Sequence, residues 1–178
     1  QERFEGSALE VIVVIDGDAR LPELDQRCLV TRLQPESGGR PGLVRNQGIR
    51  LARGEWLAFL DDDDAWFPNK LASQFKYLAE NPMTQMISSA AVETPQLELP
   101  VFAPEHVSLS DLFLVKKEDI LQRNPIVSSS VLIRADILRA AGLFGDAKYG
   151  SDWKLWIACL ELIRECAFDP KKLVYLNA

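Results

Sequence analysis

The chain has little that would serve cross-linking, membrane crossing or polyanion binding. Its three cysteines, Cys28, Cys159 and Cys166, form neither an even set nor a CxxC pair. That argues against a disulfide framework or a zinc site and leaves them as reduced thiols acting as small core hydrophobes. No apolar run approaches the roughly 20 residues a helix needs to cross a bilayer. Gln1-Glu2-Arg3-Phe4-Glu5 has none of the architecture of a secretion signal, so the expectation is a soluble, cytoplasmic chain. Positive charge is also short and scattered, with 20 Lys and Arg against 26 Asp and Glu and a net charge of -6. A general nucleic-acid binder would carry a basic face, because phosphate neutralisation dominates that affinity. The single histidine, His106, has no second ligand nearby and gives no metal site. There is no internal repeat and no low-complexity tract.

What is present suits one well-packed domain over residues 1–178, with 47% hydrophobic content and too few residues for two comfortable cores. Strand-like and helix-like segments alternate. Val11–Ile15 is a β-branched run ending in Asp16-Gly17-Asp18, and Cys28–Leu33 is a weaker strand. A breaker-rich loop, Ser37 to Gly42, leads into a helix expected over Leu43–Arg53 and stopped by Gly54. Trp56–Leu60 reads as a buried strand. Pro68 opens a helix with Leu71, Phe75 and Leu78 at helical spacing until Asn81-Pro82, and Thr84–Val92 reads as a further strand.

Residues 93–125 are the least regular, with Pro95, Pro100, Pro104 and Pro125 and one short helical candidate at Ser110–Val115. Apolar residues continue through this stretch, so it is expected to be a variable excursion within the domain and not a linker. Ser128–Arg134 resumes as a strand and Ala135–Ala141 as a short helix ending at Gly142. Ser151 is then expected to cap a longer helix with Trp153, Trp156, Ile157, Leu160 and Ile163 along one side, and Leu173–Leu176 to form a last strand. The alternation predicts a three-layer α/β domain.

The most telling feature is four consecutive aspartates, Asp61 to Asp64, placed directly behind the Trp56–Leu60 strand and ahead of Ala65-Trp66-Phe67-Pro68. The carboxyl edge of an open α/β sheet is where ligands bind, and carboxylates crowded there repel one another unless a cation sits among them. A hard divalent metal carrying a phosphorylated substrate is the natural occupant. A helix-loop-helix calcium site fails twice, since the position needing Gly is Trp66 and the one needing Glu is Ala72. A phosphatase could use Asp61 and Asp63 as nucleophile and acid, but the Thr or Val that usually follows is missing and such a strand normally comes first. The bland alternative is a solvated acidic loop in which Asp64 supports the next helix N-terminus by about 0.3 to 1 kcal/mol.

The acids keep particular company. Ahead of them lie Val13-Val14-Ile15-Asp16-Gly17-Asp18, Arg45-Asn46-Gln47-Gly48 and Ala52-Arg53-Gly54-Glu55-Trp56. Behind them come Trp66-Phe67-Pro68-Asn69-Lys70-Leu71, Ser128-Ser129-Ser130-Val131 and Ser151-Asp152-Trp153-Lys154-Leu155-Trp156. In this order and spacing the chain resembles the family 2 glycosyltransferases, inverting enzymes with a GT-A fold, over nearly its whole length. The stretch GEWLAFLDDDDAWFPNKLASQ is the specific piece, and the others are weak singly and strong together.

The resemblance implies an α/β/α GT-A domain with a mostly parallel mixed sheet. It also implies transfer of a sugar from a nucleotide-diphosphate donor, most often a UDP-sugar, with Mg or Mn bridging the phosphates. Asp16 matches an acid that hydrogen-bonds the base, with Ile15 in place of the acid before it, and an ordinary Asp-Gly turn is the alternative. Arg45 matches an arginine that approaches the nucleotide or diphosphate and falls near an expected helix start. Asn46 is expected to organise the turn, and Arg40 is a weaker contact. Asp61 and Asp63 reproduce a DxD spacing, Asp63 being the first choice for the metal, Asp61 the second, and Asp62 facing ribose or sugar hydroxyls. Asp64 is expected to be a bystander. Asp152 matches the catalytic base, although Ser151 stands where the family often has Glu. Trp66 and Trp156 are expected in the core, with Trp153 open between packing and a sugar-stacking role.

Family members usually begin with a strand, a Pro-x-Tyr-Asn loop and a helix ahead of the stretch that starts here. The expectation for the chain as given is therefore an unpaired sheet edge and poor donor affinity. Two functions stay open: a glycosyltransferase building a surface or exported glycan on a sugar or lipid-linked acceptor, or a noncatalytic nucleotide-sugar or interaction module of the same fold. Lipid-linked acceptors would bring the protein to the inner face of the membrane as a peripheral component. No nucleic-acid partner is expected.

Overall fold

The computed structural model describes residues 9–18, 21, 23–94 and 112–177. His106, Pro95, Pro100, Pro104 and most of the expected excursion lie outside the described residues. Strands Val11–Ile15 (β1) and Cys28–Arg32 (β2) pair in parallel as a small sheet, with Val13 opposite Val30. The main sheet contains Trp56–Ala58 (β3), Ala65–Trp66 (β4), Met86–Thr94 (β5), Phe113–Lys116 (β6), Leu132–Arg134 (β7) and Glu165–Asn177 (β8). Its order is β3-β7-β5-β8-β4, with β6 also paired to β8. Among the described residues five helices accompany them: Pro41–Leu51 (α1), Lys70–Glu80 (α2), Lys117–Gln122 (α3), Ala135–Ala140 (α4) and Ser151–Ile163 (α5).

Alternation along the central strands builds the layers. Met86, Ile133, Cys166 and Phe168 join a cluster with Ile49 of α1, Ile120 of α3, Leu138 of α4 and Leu155, Trp156, Cys159 and Leu160 of α5. Their neighbours Ile87, Leu132 and Ala167 point the other way, to Phe75, Tyr77 and Leu78 of α2. Successive side chains of a strand face opposite sides, so one sheet buries both faces against helices. The result is the expected three-layer α/β/α arrangement.

The sheet is less parallel than expected. β3, β5 and β8 run in one direction, but within the main sheet only the β5–β8 pairing is parallel; β7 lies antiparallel between β3 and β5, and β4 and β6 pair antiparallel with β8. The short strands interleave with the long ones, which their sequences do not reveal. β1 meets the rest through α1: a Cβ on Gly48 would lie 3.5 Å from Val14, and Glu10 accepts the backbone N–H groups of Arg53 and Gly54 at 2.6 and 2.8 Å.

Several expected elements shift. The helical candidate at Ser110–Val115 is instead, over its described part, the strand β6, because Val115 is buried opposite Cys166 and the Phe113 ring lies 4.9 Å from that of Phe168. Pairing with β8 overrides the local pattern. Ser128–Arg134 is a strand only from Leu132: Ser128–Ser130 form a buried 3-10 turn in which Ser130 Oγ bonds locally, to the Val127 carbonyl at 2.8 Å. β8 extends far ahead of the expected Leu173–Leu176. Register shifts at Ser89–Ala90–Ala91 accommodate Asp169-Pro170-Lys171-Lys172 as a bulge, and that polar, proline-bearing stretch hides the strand from pattern reading. Ser151 does not cap α5. Gly150 holds that position in the left-handed region at φ 69°, and no side chain caps the helix.

Candidate active site

Asp61 to Asp64 form a tight turn beyond β3, closed by the Asp64 N–H donating to the Asp61 carbonyl at 3.1 Å. Each end of this turn has a protein partner. Arg45 on α1 grips the Asp61 carboxylate with Nε at 3.1 Å and a terminal nitrogen at 2.5 Å. Ser129 Oγ donates to Asp64 Oδ2 at 2.5 Å and accepts the Asp61 N–H at 3.1 Å. Asp62 and Asp63, between them, are exposed and have no hydrogen-bond or ion-pair partner among the described residues. The turn thus spends two of its acids on the protein and leaves two carboxylates in solvent.

This changes the picture of two residues. Arg45 lies in the second turn of α1, where backbone N–H groups are already used by the helix, and its guanidinium partners an acid expected to contact donor or metal. Asp64, expected to stand aside from the metal, has a partner in the fold, and it does not serve the next helix, which begins at Lys70. It holds Ser129.

Phe144 joins the turn to α5. Its ring packs at 5.5 Å from Phe59, which precedes the acids, and at 5.7 Å from Trp156, one helical turn after Asp152. The Arg45 guanidinium carbon lies 5.3 Å from the same ring. Asn46 does not organise its own turn: it is buried and exchanges two hydrogen bonds with the Phe144 backbone, at 2.8 and 3.0 Å. Glycine at position 42 allows this approach, since a Cβ there would meet the Gly145 carbonyl at 2.6 Å, Phe144 Cβ at 2.9 Å and Ser151 Oγ at 3.2 Å. Ser151, where the family of resemblance often has Glu, is buried against α1, so Asp152 is the acid at this helix start.

Asp152 is half-buried and has no hydrogen-bond or ion-pair partner among the described residues. Trp153 beside it is 38% exposed, with its indole N–H anchored on the Ile120 carbonyl at 2.7 Å. Trp156 is wholly buried, as expected. Trp66 is half-buried and polar in its use, donating to the Ser129 carbonyl at 2.7 Å.

Asp16 follows the last residue of β1, and no hydrogen bond or ion pair links it to the acid turn among the described residues. Both of its carboxylate oxygens accept from Ser37, one from the backbone N–H at 2.8 Å and one from the hydroxyl. Those bonds hold its pKa below the ordinary carboxylate value, so it is an anion poised at a loop. Ser37 Oγ also accepts the Arg40 N–H at 3.0 Å, and Arg40 is exposed. Reading the sequence missed Ser37 and Phe144 altogether. Ser129 lay in a recognisable serine run, but nothing in that run said which hydroxyl would reach the acids.

The donor set fits a divalent metal shared with a diphosphate. No cluster of three or more His, Cys, Asp or Glu side chains suited to hold an ion is present among the described residues. A magnesium-like ion needs one or two protein carboxylates when phosphate and water complete its shell, and Asp63 and Asp62 are free to supply them.

The sequence model described as Glycosyl transferase family 2 matches residues 1–113. The chain belongs to glycosyl transferase family 2. Among curated relatives in the family, the succinoglycan biosynthesis protein ExoO of Rhizobium meliloti is 34% identical over 93% of this chain and 51% of its own length. An uncharacterized glycosyltransferase of Methanocaldococcus jannaschii is 26% identical over 67% of this chain and 40% of its own. The chain therefore spans about half or less of the length of these two relatives. S. aureus TarS, solved in complex with UDP-GlcNAc, superposes with a TM-score of 0.66 at 20% identity, covering 93% of this chain and 48% of that one, and shares the GT-A fold. No helix among the described residues is long and apolar enough to cross a membrane.

Proposed function

We propose that this family 2 domain transfers a sugar, with inversion, from a nucleotide-diphosphate donor to an acceptor hydroxyl during synthesis of a surface or exported glycan. The observation that carries this is the acid turn: Arg45 and Ser129 occupy Asp61 and Asp64, leaving Asp63 and Asp62 available beyond the sheet edge. UDP is the favoured nucleotide because TarS of the same fold is solved with UDP-GlcNAc, and the glycan class follows the naming of ExoO. Acceptors in such syntheses are often lipid-linked, which would place the protein at the cytoplasmic face of a membrane.

Asp16 would accept a hydrogen bond from the nucleotide base, in an orientation fixed by Ser37. Asp63, with Asp62 or Asp61, would hold Mg or Mn on the donor diphosphate, and the bound ion would supply positive charge where the leaving group gains negative charge. Arg45 would hold Asp61 in place and add its own positive charge to the site. At the other end, Asp152 would take the proton of the acceptor hydroxyl as that oxygen bonds to the anomeric carbon. The bond from that carbon to the diphosphate oxygen breaks, and the nucleoside diphosphate leaves with the electron pair.

The test is calorimetric titration of UDP and UDP-sugars into the intact protein, with and without Mn, alongside assay of UDP release. Mn-enhanced uptake that disappears in Asp63→Ala is the expected outcome. A protein that takes up no nucleotide-linked sugar under any of these conditions overturns the proposal.

A further inference from the structure

The buried groups behind the acid turn form a connected system. The carbonyls of Ser129 and Ser130 accept from two different side chains, Trp66 Nε1 at 2.7 Å and Gln74 Nε2 at 2.8 Å. Gln74 Oε1 in turn accepts from Lys70 Nζ at 2.9 Å, and the same ammonium lies 4.4 Å from the centroid of the Trp66 ring. Lys70, Gln74, Ser129 and Ser130 are all buried. A lysine inside a protein survives when its donors meet an acceptor and a ring face, and a satisfied buried network of this kind is rigid. Its output toward solvent is one hydroxyl, Ser129 Oγ, which donates to Asp64 and accepts from the Asp61 backbone.

We propose that Ser129 is a positioning residue for the donor site, acting through the Asp61–Asp64 turn that it holds at both ends. This rests on the assignment of that turn to the donor and its metal. Ser129 touches neither of the two free acids. It fixes the backbone on either side of them, so that the Asp62 and Asp63 carboxylates need not be ordered when diphosphate arrives. Arg45 cannot replace it, because the arginine grips only the Asp61 side chain and leaves the far end of the turn free.

The experiment compares wild type with Ser129→Ala, Ser129→Thr and Asp64→Asn in the intact protein, by calorimetry with Mn and UDP and by amide hydrogen exchange at Asp61. The expected result is about a tenfold weaker uptake of Mn and UDP in Ser129→Ala, the order expected from losing a charge-assisted hydrogen bond, together with faster exchange of the Asp61 amide. Ser129→Thr keeps the hydroxyl and restores both. Should Ser129→Ala fail to fold, Asp64→Asn removes the charged acceptor without emptying the interior and is expected to weaken uptake in the same direction. Variants that bind Mn and UDP as wild type does, with unchanged Asp61 exchange, overturn the role of Ser129. A wild type that binds neither overturns the donor-site assignment itself and this role with it, and the wild-type titration tells the two failures apart.

Discussion

Around Asp61–Asp64 both flanks of the turn are tied to other elements, by Arg45 from α1 and by Ser129 from the loop ahead of β7. Asp152, by contrast, enters α5 behind a left-handed Gly150 and a neighbouring Tyr149 that is 82% exposed, with no partner for its carboxylate among the described residues. The two acid-bearing ends of the site thus differ in preparation. The first is held at both ends by the fold, which under the proposed function would meet the charge of a diphosphate and metal in a fixed place. The second is open, which under the proposed function would let an acceptor come and go and a base exchange its proton. What the two ends share is Phe144, packed between Phe59 and Trp156 with its backbone held by Asn46.

The largest effect is expected from Asp152→Asn, which keeps the shape of the open end and removes its basicity. A loss of about 10² to 10⁴ in turnover is expected, with UDP affinity and thermal midpoint unchanged. A variant that retains turnover would remove Asp152 from the chemistry and with it the contrast between the two ends.

Next comes the seam joining them. Gly42→Ala would drive a methyl against the Gly145 carbonyl and Phe144, pushing α1 away from α5 and costing about 1 to 3 kcal/mol in urea denaturation. Turnover should fall more than UDP affinity, because under the proposed function the seam would set the distance between Asp152 and the donor.

A smaller effect tests the rigid end by pH. Burial pushes Lys70 down from its ordinary 10.5 to about 7. Below about pH 7 the amine is charged in folded and unfolded chains alike, and the full cost of burying the charge is carried. Between about 7 and 10.5 the unfolded chain keeps a proton that the folded chain has released, so this residue makes stability rise with pH. The rise should be reduced in Lys70→Met, as read from urea midpoints at about pH 6 and about pH 9. Identical pH profiles for the two proteins would refute it.

The smallest expected change is in Trp153→Phe, which deletes the hydrogen bond to the Ile120 carbonyl that anchors α5 on α3. The cost should be about 0.5 to 1.5 kcal/mol, with UDP affinity unchanged because Trp153 is outside the proposed donor site.

Much of this protein could be read from residues in order. The β-branched run at Val11–Ile15, the proline and glycine punctuation and the helical spacing of Leu71, Phe75 and Leu78 report local preferences that the structure keeps. The family was legible for a related reason. In GEWLAFLDDDDAWFPNKLASQ, Asp61, Asp64, Trp66, Lys70 and Gln74 belong to one polar system, Asp61 through its backbone N–H and the other four through their side chains, which depend on one another's chemistry. Such mutual requirement leaves a dense pattern along the chain.

Tertiary structure decided the rest. Pairing with β8 made a strand of Phe113–Lys116, and β7 slipped antiparallel between β3 and β5, because strand partners lie far away in sequence. The carboxylates of Asp61 and Asp64 gained protein partners, while Asp62 and Asp63 have none among the described residues, because Arg45 and Ser129 arrive from positions 16 and 65 residues distant. Sequence determined which chemistry the chain carries, through residue types and their local spacing. Which carboxylates are tied into the fold was decided only by contacts between distant segments, since charge and hydrogen bonding act through space and not along the chain.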